Sequence, residues 1–139
     1  MDKTETAINA FKNGYNCAQA VFYAFLDELD IDKDKALKLI EGFGGGIGGM
    51  QETCGAFNAA VAIISNHYGK STADKENRAI LYKTIRDAAE MFKKEFGALA
   101  CRDILLEGIP KPIQCQAKVA CAAKIVNSIL AESKDKITV

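Results

Sequence analysis

The stretch EGFGGGIGGMQETCGAFNAAV, Glu41 to Val61, decides the fold class. It contains a literal G-x-G-x-x-G at Gly44, Gly46 and Gly49. In a dinucleotide-binding fold that motif follows a β-strand and opens a βαβ unit. Here the residues before it, Ala36, Leu37, Leu39 and Ile40, recur at helical spacing, and those after it start another helical pattern at Cys54. No Gly-Lys-Ser/Thr follows, so a P-loop is excluded as well. The stretch therefore joins two helices. Two readings of its glycines stay open. One is a flexible connection. The other is a loop whose bare backbone packs against a cofactor or thiol site, with Gly44, Gly45, Gly46, Gly48, Gly49 and Gly55 as its members. A run this rich in glycine is costly as a mere linker, because each glycine adds entropy to the unfolded chain.

Working outward, the helical pattern continues in both directions. Upstream, Asp2 to Asn13 carries Ala7, Ile8 and Phe11 on one face, and Asn13-Gly14 breaks it. Asn16 is a candidate N-cap, with Gln19 three residues on completing a capping box, so Cys17 becomes the first residue of a second helix. Downstream, the helix from Cys54 to about Tyr68 is rich in alanine and stops at Gly69. The longest pattern runs from about Thr72 to Phe96, with Leu81, Ile85, Ala88, Ala89, Phe92 and Phe96 on one face and alternating charges on the rest. Cys101 to Leu106 reads as a short turn, and a last helix spans about Pro112 to Ala131. No strand alternation competes anywhere. The expectation is an all-α bundle of about five to six helices, with a glycine-rich loop before the helix carrying Cys54.

Length and composition narrow the class. At 139 residues the chain fits one domain, 1–139. Such a chain buries roughly two-thirds of the surface its unfolded form exposes, so disulfide staples are not required. Eighteen basic residues balance eighteen acidic ones, which points away from nucleic acid and anionic membranes as partners. The N-terminus lacks a basic segment followed by an apolar run, and no stretch approaches the roughly 18 apolar residues of a membrane span. The expected location is cytoplasmic. In that reducing compartment cysteines are more often metal-binding, catalytic or buried than disulfide-bonded.

Five cysteines stand at Cys17, Cys54, Cys101, Cys115 and Cys121, none paired as C-x-x-C. Four of them fall at or near helix beginnings, where the helix dipole favours thiolate, the form that attacks disulfides and binds metal. Cys54 leads, since it follows the glycine run directly. The competing reading is a small buried residue in an alanine-rich interface. Cys121 differs. It lies mid-helix, and six residues from Cys115 rotate it roughly 240° away, which marks it as structural. His67, the single histidine, suits a helix C-terminus as a dipole partner, and one histidine completes no Ser-His-Asp or Cys-His-Asn set. Glu52 reads as a proton acceptor near Cys54 or as a carboxylate offsetting the helix dipole.

The order of these elements resembles a known family. Asn16-Cys17-Ala18-Gln19-Ala20-Val21, the Gly44 to Met50 run, Glu52-Thr53-Cys54-Gly55-Ala56, Cys101-Arg102-Asp103-Ile104-Leu105, and Cys115 with Val119 and Ala122-Ala123 are similar to the C_GCAxxG_C_C family over nearly the whole chain. The resemblance implies a redox-active protein whose four characteristic cysteines are Cys17, Cys54, Cys101 and Cys115. The family's closing glycine is Ala59 here, which weighs against any cofactor that needs bare backbone at that position. A related domain occurs in split-Soret cytochromes, where an iron–sulfur centre accompanies haem. This chain has no C-x-x-C-H, so it offers no haem attachment motif.

Three expectations follow. The first is thiol–disulfide chemistry with Cys54 as nucleophile and Cys17, Cys101 or Cys115 as its resolving partner, acting with a redox partner protein. The second is a zinc ion or an iron–sulfur cluster held by the same four thiolates. The third is an interaction module, such as a homodimer, in which helices rich in small residues associate and the cysteines are passive.

Overall fold

The computed structural model describes residues 2–104 and 106–137. Among them the chain forms seven α-helices and one 3₁₀ turn, with no named strand. The helices are α1 Lys3–Lys12, α2 Cys17–Ala24, α3 Leu26–Leu29, α4 Lys33–Glu41, α5 Gly55–Tyr68, α6 Lys75–Phe96 and α7 Lys111–Ile137. The fold is all-α, as expected.

Helix starts follow the local chemistry. Asp2 caps α1 by accepting from the Glu5 amide, Asp32 caps α4 through Lys35, and Asp74 caps α6 through Asn77. Asn16 caps α2 in the expected capping box, accepting from the Gln19 amide while the Gln19 side chain accepts from the Asn16 amide. Gly97 ends α6 in the left-handed conformation at φ 80°.

The count exceeds the expected five to six because the second helical pattern is broken. Phe25, at φ −115° and ψ 19°, leaves helical geometry and separates α2 from the single turn of α3. Its apolar side chain is buried all the same, which explains why periodicity alone runs straight through the break. Asp30, in the left-handed region at φ 53°, then turns the chain toward α4.

One cluster of buried side chains draws on all of the longer helices. α1 packs on α2 and α7, α2 on α4, α5 and α7, and α5 on α7, with α6 laid across α5 and α7. Alanines at Ala18, Ala20, Ala56, Ala59, Ala60, Ala122 and Ala123 are fully buried, so these helices approach closely. Ala59 belongs to this packing rather than to any cavity. α6 is the outer helix. Only Ala88 and Phe92 on it are buried, and Phe92 stacks against Phe57 and Phe96 with ring centroids 5.5 and 4.8 Å away. No helix among the described residues is long and apolar enough to cross a membrane.

Candidate functional site

The beginnings of α2, α5 and α7 meet at one place in the bundle. Cys17 is the first residue of α2, Cys54 caps α5, Cys101 opens the 3₁₀ turn Cys101–Asp103, and Cys115 lies in the opening turns of α7. All four line a single cavity of about 430 Å³. Its other walls are Phe11, Asn16, Gly45, Gln51, Lys111, Gln114 and Lys118. A cavity of this size lies in the range of small-molecule sites. Cys121 is excluded. It faces a separate surface groove beside Glu95 and Lys124, as its position on α7 implies.

A short antiparallel contact brings Cys54 and Cys101 together. Thr53 and Ala100 form an isolated β-bridge. Around it the Cys54 amide donates to the Leu99 carbonyl at 2.8 Å, and the Cys101 amide donates to the Glu52 carbonyl at 2.8 Å. Glu52 pairs with Arg102. Its carboxylate takes a bidentate pair of hydrogen bonds from Arg102, at 2.7 and 2.9 Å, which clamps the outside of the same contact.

The glycine loop supports this arrangement from the other side. From Gly45 through Gly49 every residue has positive φ, between 59° and 78°, Ile47 included at 64°. The chain makes a left-handed turn, closed by Gly48 donating to Gly42 and by Gln51 and Glu52 donating to Gly45 and Gly46. A side chain at Gly46 would stand 2.7 to 2.8 Å from the backbone of Gln51 and Glu52. One at Gly55 would stand 2.6 Å from the Phe43 carbonyl oxygen and 2.7 Å from the Cys17 sulfur. Asn16 links loop and helix: its amide donates to the Glu41 carbonyl while its oxygen caps α2. Of the six glycines considered as a binding loop, only Gly45 lines the cavity. Gly44 and Gly55 press on Asn16 and Cys17, and Gly48 and Gly49 face open space.

Electrostatics separate the four thiols. Cys101 is lowered to about 6, because the Cys54 thiol donates a hydrogen bond to its sulfur, with further help from Lys118, the Gly55 amide and Lys111. Cys54 is driven strongly upward, first by that same hydrogen bond to Cys101 and then by burial, being only 1% exposed. Cys115 is raised by burial. Cys121 is pushed up to about 11 by burial and by Glu95. The helix-start argument selects Cys54 as the lead thiolate; in the structure Cys54 is almost fully buried, whereas Cys101 is half-buried. Cys54 sits at the cap of α5, inside the core.

The sequence reading omits Lys111, Gln114 and Lys118. They lie four and one residues before Cys115 and three after it, so helical spacing sets Lys111 and Lys118 on its face of α7. The surrounding apolar pattern of Val119, Ala122 and Ala123 hides that signal. Lys118 is only 6% exposed.

Four thiols have suitable chemistry for zinc or an iron–sulfur cluster. Among the described residues, however, no group of three or more Cys, His, Asp or Glu side chains is arranged to hold a metal ion. All five cysteines are free thiols.

A family described as "Putative redox-active protein (C_GCAxxG_C_C)" matches residues 15–129 of the chain. No curated protein and no solved structure matches it.

Proposed function

The chain belongs to the C_GCAxxG_C_C family, and from that premise we propose that it is a thiol–disulfide redox protein in which Cys101 is the nucleophile and Cys54 the resolving thiol. The observation that carries this reading is that the Thr53–Ala100 bridge and its flanking hydrogen bonds set Cys54 and Cys101 side by side at the wall of a small-molecule-sized cavity. Cys101 is preferred to Cys54 as the attacking group because Cys54 is only 1% exposed.

The exchange balances as follows. The Cys101 thiolate attacks one sulfur of a disulfide, that bond breaks, a thiolate leaves, and a mixed disulfide forms on Cys101. Cys54 then gives its proton to the departed thiolate and attacks the Cys101 sulfur. A second thiolate leaves as the Cys54–Cys101 disulfide closes. Two electrons pass from the cysteine pair to the substrate, whose halves leave as one thiol and one thiolate, and the thiolate takes its proton from solvent. A reducing dithiol partner reverses the same steps. Near neutral pH a thiol at about 6 is largely ionised yet still a competent nucleophile.

Metal binding is the second reading, favoured by the sharing of one cavity by all four cysteines. It requires the sulfurs to draw together from their present arrangement. Trapping separates the two. Reduced protein mixed with a small disulfide should release thiol, Cys101→Ser should release none, and Cys54→Ser should stop at a mixed disulfide detectable by mass. Stoichiometric iron, sulfide or zinc after anaerobic purification, with no thiol release, would favour the metal instead.

A further inference from the structure

We infer that the cavity selects anionic substrates, and that the disulfide it takes is a low-molecular-weight one carrying carboxylates held by Lys118 and Lys111. This rests on the thiol–disulfide reading and names its substrate class.

The first observation is the charge of the lining. Two lysines face the cavity and no aspartate or glutamate does, although the chain as a whole is neutral. The second is Lys118 itself. Its side chain is more than nine-tenths buried, yet among the described residues it makes no ion pair with a carboxylate. A cation enclosed to this degree is steadied by an opposite charge beside it. The Cys101 sulfur supplies one while it is ionised. That charge disappears the moment the sulfur enters a mixed disulfide. The cavity then holds two cations and no anion of its own.

The helix ends act in the same direction. The first turns of α2 and α7 open on this cavity, and α5 begins at its wall, so the partial positive charges of three helix N-termini add to the lysines. A carboxylate on the bound half of the substrate would neutralise Lys118 at the step where the thiolate no longer can. Gln114 stands between the lysines but is already committed. Its amide nitrogen donates to the Leu106 carbonyl at 3.1 Å. It therefore holds the entrance of α7 rather than a ligand.

Cys101 takes one half of the disulfide and releases the other as thiolate, then Cys54 displaces the bound half and gives up its proton. The carboxylates take no part in the electron count. They fix the orientation of the reacting sulfur.

The test uses three small disulfides of different charge, dithiodipropionate, bis(2-hydroxyethyl) disulfide and cystamine, each rate being divided by that probe's rate with a free small thiol so that leaving-group differences cancel. Fully reduced protein is mixed with each under anaerobic, single-turnover conditions, and thiol release is timed. The anionic probe should react at least about tenfold faster than the neutral one, and the cationic probe slowest, with the gap narrowing in high salt. Lys118→Met should bring the three rates together, and Lys118→Arg should restore their order. The ratio is read rather than the absolute rate, because losing Lys118 also weakens Cys101 as a nucleophile. If Lys118→Met does not fold, Lys111→Met and the salt dependence of the parent carry the same comparison. Equal rates for all three probes in the parent would overturn the inference while leaving the thiol reading intact. So would reaction with a disulfide-bonded protein but with none of the probes. Failure to react with any disulfide would overturn both.

Discussion

At the scale of single residues, the distinction between Cys54 and Cys101 is a matter of who donates and who accepts. Both stand at helix-like beginnings, and a dipole argument treats them alike. Burial breaks the tie. Cys54 is enclosed by the core and pays heavily for ionising, so it keeps its proton and donates it. Cys101, half-buried, accepts that hydrogen bond and sees Lys118, the Gly55 amide and Lys111 as well. Replacing Cys54 by alanine removes the largest of these influences. Cys54→Ala should therefore raise Cys101 from about 6 toward the ordinary thiol value of about 8.5. Ultraviolet thiolate absorbance followed against pH reads that shift. An unchanged titration would mean the lysines alone set the Cys101 charge.

At the scale of elements, the site is made by three helix starts, one β-bridge and a left-handed glycine turn. Gly55 is where they touch, since its missing side chain lets the first turn of α5 lie against Phe43 and the Cys17 sulfur. Gly55→Ala should cost about 1–3 kcal/mol in chemical denaturation, because the conflict involves backbone as well as a side chain. It should also slow thiol exchange by shifting the end of α5. The helices themselves were legible from the chain. Asn16 with Gln19 announces α2, and Gly97 closes α6. The Thr53–Ala100 bridge was not, because one bridged pair has no alternation to read and its partners are 47 positions apart. That contact decides which cysteines meet. For the same reason the sequence alone could collect Cys17, Cys54, Cys101 and Cys115 as candidates but could not pair them. Lys118 was hidden differently. A lysine in a helix normally marks the solvated face, and here the close approach of α7 to its neighbours buries it.

At the scale of the whole molecule, the bundle sorts five chemically identical side chains into distinct environments. Four share a cavity and one stands apart on the far face of α7. Cys101 is lowered to about 6, while Cys54, Cys115 and Cys121 are all held above the ordinary range. The same alanine-rich packing that draws the helix starts together is what keeps Cys54 dry. The most direct measurement is site-resolved alkylation of the reduced protein across pH, with each cysteine quantified separately by peptide mass. The account predicts that Cys101 is modified first and with a midpoint near 6. Cys54 should resist modification until the fold opens. If Cys54 were instead the fastest to react, or if Cys101 titrated at about the ordinary thiol value of 8.5, the assignment of nucleophile and resolving thiol would be contradicted.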